Sequence, residues 1–234
     1  MLTFLGIGAQ KCGTSWLYHA LAHHPEIAFP GGKEIHFWNR PAGRDLHWYS
    51  HLFPDLYKVN GEITPAYGIL PTEIIQRVGT AFPHLRLIYL MRNPIERAWS
   101  SAKMALDRAE MLHDEASDQW FLDHFYSSGS RARGDYESCI RKWRSVYPSD
   151  QILLLRHEAI ELQPVNLINI CLNHLGLDDF FAPEDRKLFT EKIFEGDGIR
   201  IRPRLLEALN HIYAGQIESL SQYLKQDFSD WKSS

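Results

Sequence analysis

The chain has 234 residues, 44% of them hydrophobic and 23% charged, with 25 Lys and Arg against 29 Asp and Glu for a formal charge of −4. That balance excludes a disordered chain, a collagen and a coiled coil, and a mildly acidic protein has no global field for nucleic acid, so any anion site must be local. No apolar run approaches the roughly 18 residues of a membrane span, and the N-terminus reads as no signal peptide. The expectation is one domain over residues 1–234, cytoplasmic, with no membrane or nucleic-acid partner; the oligomeric state is not written in the sequence. Cys12, Cys139 and Cys171 are odd in number and far apart, neither a disulfide framework nor a CxxC pattern. The 12 histidines include no HExxH, and no metal is expected.

Leu2–Gly8 (LTFLGIG) is a short apolar run ending in glycines, the pattern of a buried parallel strand. Residues 8–15 form a Gly/Thr/Ser turn, after which Trp16, Leu17, Ala20 and Leu21 recur at helical spacing. Residues 58–64 are a weaker strand candidate. Residues 85–91 (LRLIYLM) form a second strong apolar run that stops at Arg92-Asn93-Pro94. Asn93 suits an N-cap and Pro94 a first helical residue, and Ile95, Ala98, Trp99, Ala102 and Leu106 give the following helix its apolar stripe. Residues 107–123 carry six acids and one Arg and include a solvated loop. A helix around 136–147 precedes a third strand at 151–155 (QILLL). Residues 186–204 carry six Lys and Arg against three acids, with Gly196 and Gly198 in the middle. Pro203 opens a long amphipathic helix whose stripe is Leu205, Leu209, Ile212, Tyr213, Ile217, Leu220 and Leu224. Strands alternating with helices predict an α/β protein: three-layer α/β/α, a central parallel sheet and a P-loop-like turn after the first strand.

The turn Gly8-Ala9-Gln10-Lys11-Cys12-Gly13-Thr14-Ser15 stands where outward backbone N–H groups and a helix dipole cradle a phosphate. Its glycines have Walker-A spacing, but Walker A continues G-K-S/T, and here Thr14 takes the lysine's place while Lys11 lies inside the loop. The second strand ends in Arg92 rather than in an acid that would hold magnesium. This reads as phosphate binding by amides, hydroxyls and cations; the plainer alternative is a turn that merely needs two glycines. Arg92, at a strand's C-terminal edge, and Ser100, about two helical turns beyond Asn93, form a second anion candidate if that helix passes alongside the anion.

Together the two motifs resemble the sulfotransferases that use 3′-phosphoadenosine 5′-phosphosulfate (PAPS). Residues 8–21 (GAQKCGTSWLYHAL) are similar to the family's 5′-phosphosulfate loop and residues 90–100 (LMRNPIERAWS) to its 3′-phosphate motif. The likeness is greatest to the heparan-sulfate sulfotransferases and their bacterial relatives, and extends to Lys33-Glu34-Ile35-His36-Phe37, Trp48-Tyr49, residues 62–67 (EITPAY), Gly134-Asp135-Tyr136 and the Gly/Arg stretch near 200. The resemblance implies that Gln10, Lys11, Cys12, Gly13, Thr14 and Ser15 hold the 5′-phosphosulfate, with Lys11 on the bridging oxygen. It implies Arg92 and Ser100 on the 3′-phosphate, Glu34 as general base, and Gly198, Arg200 and Arg202 in a loop that closes over PAPS. His36 either orients Glu34 or is itself the base. The implied products are a sulfated small-molecule or carbohydrate acceptor and 3′-phosphoadenosine 5′-phosphate (PAP), formed without a metal.

Two positions depart from the heparan pattern: Ile63 stands where those enzymes usually carry Lys, and Asn39 where they often carry Asp. Losing a lysine from the acceptor side weakens attraction for sulfated sugars. A carboxylate serves as base if burial lifts its pKa toward working pH; the alternative for Glu34 is a surface acid pairing Lys33. For Phe37, Trp38, Trp48 and Tyr49 the choice lies between core packing and a wall of the acceptor pocket. Two rival functions stay open, a P-loop kinase for a nucleotide or small molecule and a non-catalytic PAPS- or PAP-binding module.

Overall fold

A computed structural model describes residues 1–53, 59–190 and 198–232. Lys58, in the weaker strand candidate, and Gly196 lie outside the described residues. In chain order the elements are β1 (Leu2–Gly8), α1 (Thr14–Leu21), β2 (Ile27–Ala28), α2 (Leu46–His51), β3 (Val59–Ile63), α3 (Thr72–Ala81) and β4 (Arg86–Met91). There follow α4 (Pro94–Arg108), α5 (Asp118–Tyr126), α6 (Ser128–Gly134), α7 (Tyr136–Arg144), β5 (Ile152–Arg156), α8 (Glu158–Leu162), α9 (Pro164–His174), α10 (Arg186–Thr190) and α11 (Pro203–Leu224). They fall into two compact units, Met1–Met91 with Arg141–Glu195, and Arg92–Ile140 with Gly196–Ser234.

The first unit holds a five-stranded sheet in the order β2-β3-β1-β4-β5, every pairing parallel. This is the α/β fold with a central parallel sheet that the alternation predicts. The predicted strand 2–8 is β1, and 85–91 and 151–155 match β4 and β5 within a residue. β2 is too short for periodicity to reveal. Leu87, Ile88 and Leu90 of β4 are fully buried, as befits a strand covered on both faces. The chain reaches β3 on one side of β1 and β4 on the other, so β1 sits at the topological switch point, where open α/β sheets bind ligands beyond their C-terminal edge.

Glycines let β1 lie close to its neighbours. Phe4 pairs with Gly61 and Gly6 with Ile63 in the β1–β3 register, a large side chain facing none in both cases. A Cβ on Gly61 would stand 2.1 Å from the Phe4 ring, and one on Gly6 would stand 2.7 Å from Ile63 Cγ1. α1 buries Trp16, Leu17, Ala20 and Leu21, the predicted stripe, and Trp16 Nε1 donates to the Phe189 carbonyl at 2.8 Å.

The second unit is helical. Asn93 caps α4 by accepting from Ile95 N at 3.0 Å, with Pro94 first in the helix, as predicted. α11 buries Leu205, Leu209, Tyr213, Ile217 and Leu220; Ile212 and Leu224 of the predicted stripe flank this face and are half-buried. Arg97 of α4 is fully buried and donates to the Ser130 carbonyl and Oγ, both at 3.1 Å, and to Tyr213 Oη at 3.2 Å. A charge there is tolerated only because acceptors meet it. Gly134 makes room for the same tyrosine, since a Cβ would stand 2.5 Å from the Tyr213 ring. The predicted helix at 136–147 is α7, which stops at Arg144. Within residues 107–123 α4 runs to Arg108 and α5 starts at Asp118, and the loop between them exposes Leu112, Asp114 and Glu115.

Because Phe4 occupies the space above Gly61, Gly61→Ala overpacks the β1–β3 pair and is expected to cost about 1–3 kcal/mol. Scanning calorimetry should show this as a fall in Tm of roughly 2–12 °C for a chain of this size; an unchanged Tm would mean that the ring moves aside at no cost.

Candidate active site

The loop between β1 and α1 is shaped by close approach. Gly8 admits the Tyr89 ring, which would meet a Cβ at 2.6 Å. Ala9 N donates to the Leu90 carbonyl at 2.7 Å, tying the loop's start to β4. Lys11, at φ 69°, and Gly13, at φ 91°, both turn left-handed. Only glycine suits the second position, because a Cβ there would also stand 2.5 Å from Ile160 Cδ1 and 2.9 Å from His157 Nδ1. Cys12 and Thr14 are buried, while Gln10, Lys11 and Ser15 are half-buried. The first helical bond of α1 runs from Leu17 N to Gly13 O at 3.0 Å, so the N–H groups of Thr14, Ser15 and Trp16 precede it, as an anion-binding helix start requires.

His157 is a loop partner that sequence reasoning missed. Its backbone N donates to the Met91 carbonyl at 2.7 Å, and its Nδ1 lies 3.2 Å from the Cys12 carbonyl, which can only accept. The one signal for it was its place just past the end of the third strand candidate.

The segment around the candidate base is also left-handed, with Glu34 at φ 63° and His36 at φ 60°. Glu34 pairs with Lys33 through Oε1, and its Oε2 lies 3.3 Å from His36 Nε2. His36 Nδ1 in turn lies 3.2 Å from Asn39 Oδ1. The structure therefore brings Lys33, Glu34, His36 and Asn39 together. The Glu34 side chain is 40% exposed, and the pairing with Lys33 weighed as the alternative is present.

Among the described residues the buried carboxyl is that of Glu62 on β3, which is fully buried. It accepts from Thr64 Oγ1 at 2.6 Å and Tyr67 Oη at 2.7 Å on Oε1, and from Tyr49 Oη on Oε2. Desolvation pushes its pKa up, the three hydroxyls pull it down, and both tyrosines are pushed up by burial and by the carboxylate. Sequence reading placed Glu62 in a family-like segment without seeing this role, because two of its three hydroxyl partners, Tyr49 and Tyr67, come from α2 and from the 3-10 turn Pro65–Ile69. Phe37, Trp38 and Tyr49 are buried core residues; Trp48 is half-buried with the Arg44 guanidinium 4.3 Å from its ring centre. Ile63 does not line an acceptor surface: it is fully buried, and its side chain lies over its β1 partner Gly6, because paired strand residues project to the same face of the sheet.

The remaining candidates belong to the second unit. Arg92 donates from Nε and Nη2 to Glu96 Oε2, at 2.9 and 2.8 Å. Its carbonyl accepts from Tyr136 Oη at 2.7 Å, which accounts for the tyrosine of the Gly134-Asp135-Tyr136 segment. Glu96 and Ser100 are four apart on α4 and share a face, and Arg92, ahead of the N-cap, pairs with Glu96 of that face. Gly198 is exposed at φ 70°, and Arg200 is exposed. The Ile199 carbonyl accepts from Trp99 Nε1 at 3.1 Å. Arg202 donates to Asp118 Oδ1 at 2.8 Å and to the carbonyls of Ala116 and His113 at 3.1 and 2.9 Å. Its guanidinium thus anchors the Gly/Arg segment to α5 and the acidic loop. Among the described residues no group of three or more His, Cys, Asp or Glu could hold a metal ion, and no helix is long and apolar enough to cross a membrane.

Comparison with known proteins bears on this arrangement directly. Bifunctional heparan sulfate N-deacetylase/N-sulfotransferase 2 of Mus musculus is 26% identical over 195 residues, 76% of this chain and 22% of that protein. Human heparan sulfate glucosamine 3-O-sulfotransferase 6 is 27% identical over 207 residues, 86% of this chain and 58% of that protein. The chain therefore spans about a fifth and under two thirds of the lengths of these relatives. The crystal structure of a sulfotransferase from Alicyclobacillus acidocaldarius superposes with a TM-score of 0.77 at 25% identity, covering 99% of both chains. The family model of the sulfotransferase domain matches residues 3–186, a span that holds the β1–α1 loop, the Glu34 segment and the start of α4, and the chain accordingly belongs to the sulfotransferase family.

Proposed function

We propose that this chain transfers the sulfuryl group of PAPS to a hydroxyl or amine of a small-molecule or carbohydrate acceptor, leaving PAP. The observation that carries this reading is the β1–α1 loop, where Lys11 and Gly13 both turn left-handed ahead of a helix start. A glycine cradle with its lysine inside the loop suits a phosphosulfate held by amides, hydroxyls and an ammonium. Gln10, Lys11, Cys12, Gly13, Thr14 and Ser15 would hold it. Arg92 and Ser100 would take the 3′-phosphate, which competes with Glu96 for the Arg92 guanidinium. Gly198 and Arg200 would meet the nucleotide, with Arg202 holding their segment in place.

In the reaction the acceptor's lone pair attacks sulfur in line while the bond from sulfur to the bridging oxygen breaks. The electron pair stays on that oxygen as PAP leaves, and the Lys11 ammonium stabilises the developing charge. The acceptor's proton passes to a Glu34 oxygen, and His36, 3.3 Å away, orients the carboxylate. Lys33 must release Oε1 or turn aside for the acceptor to reach it.

PAP is expected to raise Tm, with EDTA leaving the shift intact, because a ligand of the folded state stabilises it by mass action. A shift with Mg-ATP and none with PAP would favour a kinase. Arg92→Ala should weaken PAP by about tenfold to a hundredfold in calorimetry, the worth of one charge-assisted contact, and adenosine 5′-phosphate far less. Equal losses would move Arg92 away from the 3′-phosphate.

Glu34→Gln should lower turnover of labelled PAPS by roughly 10²–10⁴-fold with PAP affinity nearly unchanged, the range for a positioned base. A larger loss in His36→Ala than in Glu34→Gln would assign the base to the histidine. PAP binding without turnover against any acceptor in a broad screen would indicate a binding module.

A further inference from the structure

Glu34 and His36 are two non-glycine residues held left-handed within three positions, a conformation that persists only when the surroundings over-determine it. Three contacts do so. Glu34 N donates to the Ile63 carbonyl at 3.0 Å. The Phe37 ring stacks on Tyr49, centroids 4.4 Å apart and planes 9° from parallel. Trp38 N donates to Tyr67 Oη at 3.4 Å. Two of them lead to the Glu62 side chain, and the first leads to the strand that carries it. Ile63 is the next residue along β3 from Glu62, and Tyr49 and Tyr67 both donate their hydroxyl protons to the Glu62 carboxylate.

We infer that Glu62 is a positioning residue for the acceptor-activating pair: its buried carboxylate gathers the hydroxyls of Tyr49, Thr64 and Tyr67 and through them holds the backbone that presents Glu34 and His36. Glu62 is not itself the base. It is fully buried and both its oxygens already accept hydroxyl protons. An ionised carboxylate accepts from all three donors, whereas an amide accepts on one oxygen only and turns an NH2 toward the hydroxyl that met the other. Tyr67 Oη accepts from Trp38 N while donating to Glu62, so the carboxylate polarises the bond that fixes the far end of the segment. This inference rests on the reading of Glu34 as base, and its test separates the two.

The test is hydrogen–deuterium exchange with mass spectrometry on the full chain and on Glu62→Gln and Tyr67→Phe, following peptides over residues 33–40 and 13–21. Exchange of 33–40 should quicken by about tenfold or more in both variants, the effect of losing one hydrogen bond to a charged group. Peptide 13–21, in the nucleotide loop and α1, should keep its rate, and the PAP-induced rise in Tm should persist. Should Glu62→Gln fail to fold, Tyr67→Phe decides, since it keeps the ring and removes one hydroxyl. An unchanged 33–40, or a uniform quickening of both peptides, overturns the inference. As a second readout, PAP release from labelled PAPS with 4-nitrophenol or glucosamine as probe acceptor should show kcat falling in Tyr67→Phe at constant KM for PAPS. The same change made in a Glu34→Gln background should lower kcat no further. Full turnover in Glu34→Gln alone would remove the base assignment and leave the exchange result standing.

Discussion

Close approach of β1 to its neighbours is the constraint on which the rest of the first unit depends. Gly6, Gly8 and, from β3, Gly61 remove the side chains that would keep Ile63, Tyr89 and Phe4 at a distance. The interdigitation sets the register of β1 against β3, and register decides which face each side chain takes. With Ile63 turned against Gly6, its neighbour Glu62 points the other way, toward Tyr49 and Tyr67. The same economy of side chains continues past the strand, where Gly13 yields its space to Ile160 and His157. One run of small residues thus aligns the sheet, aims a buried carboxylate and shapes the phosphate-type loop.

Each unit also holds a fully buried Glu or Arg met by hydroxyls or carbonyls. In the first it is Glu62 with three hydroxyl donors; in the second it is Arg97, which bonds the Ser130 carbonyl, Ser130 Oγ and Tyr213 Oη. Replacing a partner of such a group costs more than the hydrogen bond is worth, because the charge left behind stays buried. These nodes join elements that share no strand pairing, α2 with β3 in one unit and α4 with α6 and α11 in the other. The Glu62 node also reaches residues 33–40, where Glu34 and His36 are left-handed, through the Trp38 N bond to Tyr67 Oη and the Phe37 stack on Tyr49.

The left-handed residues of the candidate site sort by that support. Lys11 and Gly13 are held by the ends of β1 and α1 and by the His157 contact at Cys12, and Glu34 and His36 by the Glu62 node. Arg202 does for the Gly/Arg segment what the nodes do elsewhere: its bonds to Asp118, Ala116 and His113 fasten residues on one side of Arg200, while Trp99 fastens Ile199 on the other. In each place a cation or acid proposed to meet the ligand is exposed or half-buried, and a deeper neighbour fixes its backbone.

What the sequence determined by itself is local. A run of apolar residues ending in glycine, Asn-Pro ahead of an amphipathic stripe, and leucines four apart in α11 follow from backbone sterics and periodicity, which act within a few residues. They placed β1, its loop, the α4 cap and the long C-terminal helix within a residue or two. The loop at Lys11 and the strand end at Arg92 were legible for the same reason, as short spacings with a chemical meaning, whereas Glu34 stood out only through the resemblance to sulfotransferases. Only the tertiary structure decided that Glu34 stays exposed while Glu62 is buried, that Ile63 faces a glycine rather than an acceptor, that Arg202 is a brace, and that His157 lies on the loop. Burial and partnership depend on which elements meet across the sheet, and a carboxylate's charge state and reach are set by those neighbours rather than by its place in the chain.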